Sequence, residues 1–166
     1  MLLAAGAALA MVIAREEVGE FAPIANALSV NLDTLDRSRH APSALAANSA
    51  HKPWIFDPVA VSPLSFRTQF AFDLLDSKPS VIRGNASEII SLSGGAASGR
   101  GVDSTAHTDA VQVLALKTQA VVAVTGSTDY ITDGKRTVAL SNGSPLMTRV
   151  TASAARCPRR SRHSSA

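Results

Sequence analysis

Apolar and polar positions follow two different spacings along the chain. Short runs of apolar and β-branched residues predict strands, whereas apolar residues three or four apart predict amphipathic helices. The predicted strands cover residues 28–32, 54–56, 80–82, 120–124, 130–132 and 136–140. The predicted helices cover residues 1–14, 15–28, 37–51, 66–75, 86–92 and 104–119. Because the two types alternate, the sequence predicts an α/β fold with a mainly parallel central sheet flanked by helices.

Turn-forming residues interrupt this pattern at two places. Residues 93–101 are rich in serine and glycine and are predicted to form a loop. Near the end of the pattern, Asp133 and Gly134 separate two apolar segments, and an Asp-Gly pair favours the two-residue turn between antiparallel strands. The sequence therefore predicts one antiparallel hairpin beside the parallel strands.

Polar side chains follow three of the predicted strands. Asp57 follows the second strand, Arg83 the third and Thr125 the fourth. Because ligands bind beyond the carboxyl ends of parallel strands, we expect these residues to share one rim. Asp57 and Glu88 carry the oxygen ligands that Mg²⁺ prefers. Arg83 is suited to pair with a phosphate, and Thr125 with Gly126 offers a hydroxyl and a backbone amide.

Each of these residues, taken alone, also has a purely structural interpretation. Asp57 is a possible turn residue before a proline, and Glu88 a solvated acid in the first turn of a helix. Arg83 is a possible member of a surface ion pair, and Thr125 a part of a plain turn. The functional interpretation differs from these structural ones because it requires all four residues to lie together at one rim of the sheet.

The composition excludes several classes of function. The only cysteine is Cys157, which excludes an internal disulfide framework and a zinc site built from several thiolates. Aromatic residues make up 4% of the chain, too few for the stacking platforms that bind single-stranded nucleic acid. The histidines lack the spacing of metal ligands, and we expect all of them to be solvated: His40, His51, His107 and His163.

The apolar segments indicate neither a membrane protein nor an exported one. No apolar run reaches the length of a membrane span. The apolar stretch 1–14 lacks the basic residues that open a secretory signal, and we predict that it forms a buried helix. We therefore expect a cytoplasmic protein without a membrane partner.

The basic character of the chain lies in its last residues. Four arginines fall within 156–166, and the rest of the chain carries 12 basic against 13 acidic residues. Such a tail is usually a solvated, unstructured end, and we expect that here. The alternative is a module that binds nucleic acid through this tail, although the sequence shows no ordered basic face to accompany it.

A series of segments matches, in one order, a known family. The most specific is the run Arg83-Gly84-Asn85-Ala86-Ser87-Glu88. Others are Asp57-Pro58-Val59-Ala60-Val61, Val124-Thr125-Gly126 and Asp129-Tyr130-Ile131-Thr132-Asp133-Gly134. Over about residues 2–151, the chain resembles the hydroxyethylthiazole kinases of thiamine biosynthesis, which have a ribokinase-like fold.

This resemblance implies an activity and a set of site residues. The implied reaction is ATP-dependent phosphorylation of the hydroxyl group of 4-methyl-5-(2-hydroxyethyl)thiazole, in a homotrimer whose active sites lie between subunits. By matching family positions, the resemblance assigns Asp57 and Glu88 to magnesium and its waters, with Asn85 beside them. It assigns Arg83 and Thr125 to ATP. It assigns Met11 and Ala152 to the thiazole pocket.

Both ends of the chain depart from the family pattern. The family has a further strand and helix before the segment that begins at Leu2, so we expect a strand partner to be missing. After Thr151 the family continues Gly-x-Gly-Cys-Ala-Leu-Ser, a glycine turn that forms an anion hole at a helix start. In register, Ala152 and Ala154 take the glycine positions, and Ala155 takes the position of the family cysteine. The resemblance therefore implies a ribokinase-like fold that is incomplete at both ends.

A single lost base accounts for the altered segment. One set of codons for residues 151–158, read from the last base of the Thr151 codon, encodes Gly-Ile-Gly-Cys-Ala-Leu-Ser, so we hypothesise a frameshift near Thr151. Residues 1–151 then form a partial kinase domain, and 152–166 form an aberrant, disordered basic tail. Cys157 lies too late in this tail to act as the family cysteine. We therefore predict that this chain has no kinase activity, with a nucleotide-binding remnant as the alternative.

Overall fold

The computed structural model describes residues 6–95 and 104–141 of the chain. At the centre of these residues is a six-stranded sheet whose strands follow one another in chain order. The first four strands run parallel: β1 (Leu28–Asn31), β2 (Trp54–Asp57), β3 (Val81–Asn85) and β4 (Val121–Thr125). The last two are antiparallel: β5 (Asp129–Thr132) and β6 (Thr137–Leu140). The mainly parallel sheet that the sequence predicts is confirmed.

Helices flank the sheet and connect its parallel strands. They are α1 (Val18–Ile24), α2 (Arg37–Ser49), α3 (Ser65–Leu75), α4 (Ala86–Leu92) and α5 (Ser104–Thr118). Short 3₁₀ turns precede α1 at Arg15–Glu17 and follow β1 at Leu32–Thr34. The helices predicted over 37–51, 66–75, 86–92 and 104–119 are confirmed.

The hydrophobic core lies where the helices pack on the sheet. Its fully buried side chains include Trp54, Phe56, Ile82 and Val122 from the strands, and Phe70, Leu74, Ile89 and Leu114 from the helices. Burying one such side chain stabilises a fold by about 1.5–3 kcal/mol. The apolar residues of each strand are buried in this core. The polar residues that end the strands therefore lie at the edge of the sheet.

The predicted helix at the amino end is wrong over the residues that the structure describes. Residues 6–13 have no helical structure, and Leu9, Met11 and Ile13 are 59%, 87% and 67% exposed. Most of the stability of a protein helix comes from packing an apolar face against the rest of the molecule. This segment packs no such face, so its apolar composition does not produce a helix.

The predicted boundaries near β1 and β3 also need correction. The helix expected over 15–28 ends at Ile24, which is 75% exposed, and Leu28 begins β1. The spacing of three and four continued across this boundary, so periodicity alone did not locate it. The third strand runs past its predicted end at Ile82 to Asn85.

The predicted hairpin is confirmed, but its turn is longer than expected. Thr132 pairs with Thr137, so the connection covers residues 133–136 rather than the Asp-Gly pair alone. Asp133 Oδ1 accepts hydrogen bonds from the amides of Lys135 and Arg136, at 2.9 and 2.7 Å. An aspartate side chain that bonds the backbone ahead of it stabilises a wider turn.

His40 is buried, which contradicts the expectation that it is solvated. It is 6% exposed on α2, and its Nδ1 accepts a hydrogen bond from the amide of Asp36 at 3.2 Å. Burial lowers the pKa of His40, and the nearby charge of Arg39 acts in the same direction. His51 is exposed, as expected. The side chain of His107 and all of His163 lie outside what the structure describes.

Several predictions concern residues outside the described ranges. They are most of the serine- and glycine-rich loop, the family positions Ala152 and Ala155, the proposed frameshift segment and the tail 152–166. They stay predictions. Within residues 6–95 and 104–141, none of the helices combines the length and the apolar composition needed to cross a membrane.

Candidate functional site

The carboxyl ends of the first four strands lie side by side at one rim of the sheet. Asn31 at the end of β1 pairs in register with Asp57 at the end of β2. Asn85 at the end of β3 pairs in the same way with Thr125 at the end of β4. The expectation that polar strand ends meet at one rim is therefore confirmed.

Asp57 is held at this rim by two neighbouring side chains. Its Oδ2 accepts hydrogen bonds from Asn31 Nδ2 at 3.1 Å and from Arg83 Nη1 at 3.2 Å. The side chains of Asp57 and Arg83 are only 15% and 24% exposed. Burial raises the pKa of Asp57, and the charge of Arg83 opposes that rise while the charge of Glu88 adds to it. The rim therefore contains two interacting carboxylates, a setting that favours an added cation.

Glu88 is held at the rim by a reciprocal cap at the start of α4. Asn85 Oδ1 accepts a hydrogen bond from the Glu88 amide at 3.0 Å, and Glu88 Oε2 accepts one from the Asn85 amide at 2.8 Å. This capping box satisfies two backbone donors that the helix itself leaves open. The sequence Asn-x-x-Glu therefore fixes the carboxylate directly beside the strand end.

The second oxygen of Glu88 reaches the loop that follows β2. Glu88 Oε1 accepts a hydrogen bond from the Ala60 amide at 3.1 Å. Each carboxylate oxygen has two lone pairs, so both keep the capacity to accept a further hydrogen bond or to bind a cation. Glu88 thus ties the ends of β2 and β3 together without exhausting its ligand capacity.

Gly84 allows α4 to approach the strand end closely. A Cβ at this position would lie 3.1 Å from Glu88 Oε2 and 3.2 Å from Ile89 Cδ1. Such contacts are tighter than normal packing, so the side chain of Glu88 or Ile89 would have to shift by a few tenths of an ångström to admit a Cβ here. The glycine of the Arg-Gly-Asn run therefore lets Glu88 lie close against the strand end.

Thr125 is joined to the same strand end through the main chain. Its Oγ1 donates to the carbonyl of Gly84 at 3.3 Å. The amide of Gly126, which the sequence suggested for phosphate binding, donates to Asp129 Oδ1 at 3.0 Å. The hydroxyl of Thr125 therefore belongs to the rim, whereas the Gly126 amide already has a partner within its own loop.

Sequence reasoning missed two residues at this rim. Asn31 donates a hydrogen bond to Asp57, but the predicted strand ran to residue 32, so the strand-end rule did not select Asn31. Arg67 donates from Nη1 to the carbonyl of Leu32 and, at 3.2 Å, to that of Val59. Nothing in the sequence pattern distinguishes Arg67 from a surface residue of α3, so it had no sequence signal.

Met11 is not part of the described rim geometry. It is 87% exposed in the segment before α1. Its role in a substrate pocket, like the roles of Ala152 and Ala155, stays a prediction.

The donor groups of the rim fit magnesium better than a metal that prefers nitrogen or sulfur. In the described parts of the chain, no three His, Cys, Asp or Glu side chains form a closed metal cluster. Magnesium does not need one, because it binds one or two carboxylates and keeps waters and substrate phosphates as its other ligands. The rim contains two carboxylates, Asp57 and Glu88, which accept hydrogen bonds from the Asn31 side chain and the Asn85 amide.

Solved structures with the same architecture define the class of protein. A hydroxyethylthiazole kinase from Pyrococcus horikoshii OT3 superimposes with a TM-score of 0.81 at 34% identity, covering 93% of this chain and 60% of that one. A pyridoxal kinase from Staphylococcus aureus, in complex with AMP-PCP and pyridoxal, superimposes with a TM-score of 0.57 at 18% identity, covering 75% and 48%. The fold is therefore ribokinase-like.

Sequence comparisons narrow this class to one family. The family model of the Hydroxyethylthiazole kinase family matches residues 1–161. Hydroxyethylthiazole kinases from Leptospira interrogans and Citrobacter koseri are 52% and 54% identical to the chain, over 91% and 90% of its length. The chain belongs to the hydroxyethylthiazole kinase family. It spans 60% of the length of each of these two relatives.

Proposed function

We propose that the rim is the magnesium and nucleotide site of an ATP-dependent kinase. The reaction it serves is phosphorylation of the hydroxyl group of 4-methyl-5-(2-hydroxyethyl)thiazole. The observation that carries this proposal is the convergence of Asp57, Arg83 and Glu88 beside Thr125 at one sheet edge. Family membership supports the choice of reaction, because the relatives are hydroxyethylthiazole kinases.

Asp57 and Glu88 are the residues that would hold the metal, directly or through its waters. A magnesium ion held there would supply positive charge that neutralises the phosphate oxygens during phosphoryl transfer. Burial raises the pKa of Asp57, the charge of Arg83 opposes this rise, and the charge of Glu88 adds to it. A cation between the two carboxylates would relieve their mutual repulsion. The Asn31 side chain keeps the Asp57 carboxylate in place, and the Asn85 amide keeps that of Glu88 in place, each by donating a hydrogen bond.

Arg83 and Thr125 are the residues that would contact the nucleotide. Arg83 lies at the rim with a planar guanidinium, which suits the oxygens of a phosphate. Its ion pair with Asp57 places this charge beside the carboxylates rather than away from them. The Thr125 hydroxyl lies on the neighbouring strand end, where it can turn from the Gly84 carbonyl to a ligand.

The proposed function of this particular chain is nucleotide binding without turnover. Residues 152–155 read Ala-Ser-Ala-Ala where the family has its glycine turn and cysteine. Losing one preorganised donor of such a turn slows a reaction by about a hundred- to a thousand-fold. The described rim, by contrast, keeps every side chain assigned to metal and ATP, which favours a retained nucleotide site.

Calorimetric titration with ATP and Mg²⁺ tests this proposal. We expect the wild-type chain to bind, and Glu88→Gln to bind about tenfold more weakly or worse. Glutamine is accepted in a capping box, so this variant keeps the start of α4. The matched control is Glu16→Gln in the exposed turn before α1, which we expect to bind like the wild type. Absence of binding by the wild type, or equal binding by Glu88→Gln, contradicts the proposal.

A turnover assay tests the second part of the proposal. The chain is incubated with ATP, Mg²⁺ and the thiazole alcohol, and ADP formation is measured. We expect no rate above that of Glu88→Gln. A rate clearly above that variant shows that the altered segment does not abolish activity.

Assembly and location follow only from the family resemblance. We propose that the chain, like the enzymes of its family, is cytoplasmic and forms a homotrimer with sites between subunits. Size-exclusion chromatography with light scattering measures the assembly directly. A stable monomer contradicts the trimer, and fractionation that finds the chain outside the cytoplasm contradicts the location.

A further inference from the structure

Arg67, in the first turn of α3, contacts two loops of the rim. Its Nη1 donates one hydrogen bond to the carbonyl of Leu32, just after β1, and another to that of Val59, just after β2. The side chain is partly buried, and its Nε has no hydrogen-bond partner among the described residues. Because a guanidinium keeps its charge in a protein, both contacts are charge-assisted hydrogen bonds. Arg67 therefore joins the loops that follow β1 and β2.

The loop after β2 has a backbone that needs external support. Ala60 has a φ of 60° and Ser62 a φ of 96°, in the left-handed region that disfavours side chains. Such conformations persist only where the surroundings over-determine them. Glu88 Oε1 accepts from the Ala60 amide. Thr68 Oγ1 accepts from the Ser62 amide at 3.0 Å. Arg67 adds a contact on the carbonyl side of the same loop, at Val59.

The two loops that Arg67 joins both hold site residues. The loop after β1 follows Asn31 directly, and Asn31 donates to Asp57. The loop after β2 contains Ala60, whose amide donates to Glu88. A change in the spacing of these loops therefore moves both carboxylates.

We propose that Arg67 is a positioning residue of the rim site, a role that rests on the function proposed above. It acts through the main chain of the two loops and sets the distance between Asp57 and Glu88. Lysine replaces it only in part, because an ammonium is a point charge without the planar fork of a guanidinium.

Residue-specific amide hydrogen exchange, followed by NMR on the full chain, tests the proposal. The variants are Arg67→Gln and Arg67→Lys, and the matched control is Arg136→Gln on the exposed hairpin turn. We expect Arg67→Gln to raise the exchange rates of the Ala60 and Asp33 amides by about tenfold. We expect Arg67→Lys to give exchange rates between those of the wild type and Arg67→Gln. We expect the control to leave the exchange rates of both amides unchanged. The Val122 amide in β4 keeps its rate in every variant.

Chemical rescue separates positioning by the guanidinium from general support. Guanidinium ion is added to Arg67→Ala at a concentration that leaves the wild type folded. We expect it to restore protection at the Ala60 amide, because the ion fills the vacated position between the two carbonyls. It has no effect on the same amide in Arg136→Ala. Absence of rescue at Ala60 counts against the proposal.

Two results would overturn the proposed role of Arg67. Unchanged exchange at Ala60 and Asp33 in folded Arg67→Gln overturns the proposal. Loss of folding in both Arg67→Gln and Arg67→Lys overturns it too, because the proposal assigns a local role. Failure of the wild type to bind ATP with Mg²⁺ contradicts the proposed function and leaves the exchange result intact. The two failures are therefore distinguishable.

Discussion

Glu88 Oε1 accepts a hydrogen bond at 3.1 Å from the amide of Ala60, which lies in the loop after β2. Its other oxygen, Oε2, accepts one from the amide of Asn85 at the start of α4. The Glu88 carboxylate thus links the loop after β2 to the end of β3. Because Asp57 lies at the end of β2, the same contact also sets where the two acids of the rim stand relative to each other.

Truncation of Glu88 should cost stability through both of these contacts. Glu88→Ala leaves the Asn85 and Ala60 amides without their acceptor, and we expect a loss of about 1–3 kcal/mol. Glu88→Gln keeps one acceptor oxygen and should lose less. Urea unfolding measures both, with Glu20→Ala on the exposed face of α1 as the control. Equal midpoints for Glu88→Ala and the wild type would show that the double contact contributes nothing.

Gly134 should be intolerant of any side chain. Its φ is 87°, and a Cβ there would lie 2.7 Å from Leu116 Cγ on α5. We expect Gly134→Ala to destabilise the chain by about 1–3 kcal/mol. Gly19 in α1 has nothing within 4 Å of its would-be Cβ, so Gly19→Ala should stabilise it by about 0.5–1 kcal/mol. Thermal unfolding of the two variants should therefore shift in opposite directions, and shifts of the same sign would refute the packing argument.

The strained loop after β2 should relax when its left-handed positions become glycine. Ser62→Gly removes the Cβ from a residue with φ 96° and keeps the backbone amide that bonds to Thr68. We expect a gain of up to about 1 kcal/mol. Ala41→Gly in the middle of α2 is the contrasting control and should lose about 0.5–1 kcal/mol. A loss of stability in Ser62→Gly would mean that the loop is not strained there.

His40 should make the fold sensitive to mild acid. Burial holds the pKa of His40 in the folded chain below its ordinary value of 6.5. The unfolded chain then binds the proton more readily, so stability is complete above pH 6.5 and falls as the pH decreases below it. Protonation also removes the Nδ1 acceptor of the Asp36 amide.

The variant His40→Asn isolates this effect. Asparagine offers an acceptor for the same amide and does not titrate. We expect the slope of stability against pH between about 5 and 6.5 to be smaller in this variant than in the wild type. Identical slopes in urea unfolding across that range would rule out His40 as the source of acid sensitivity.

The sequence predicted those parts of the molecule in which local pattern and tertiary position agree. The strand ends at Asp57 and Thr125 were placed correctly because apolar runs end where the core ends. The capping box of Asn85 and Glu88 is local, and its residue types reveal it. The rim could therefore be predicted before any contact was known.

The rest depended on long-range contacts that local pattern does not encode. The segment 6–13 is apolar enough for a helix, but no neighbour buries it, so it is not one. Arg67 contacts Leu32, which is far away in sequence, and only the packing of α3 on the sheet creates that contact. His40 is buried for the same reason, since the pattern of α2 alone does not show which face meets the core.

The most direct test of the central claim locates the bound metal on the folded chain. Mn²⁺ replaces Mg²⁺ together with ATP, and paramagnetic broadening of backbone amide signals is recorded by NMR. We predict that the amides of Ala60, Asn85 and Gly126 broaden, whereas those of Lys135 in the hairpin turn and Ala46 in α2 keep their intensity. Broadening centred on the hairpin or spread evenly over the chain would contradict a metal-nucleotide site at the strand-end rim.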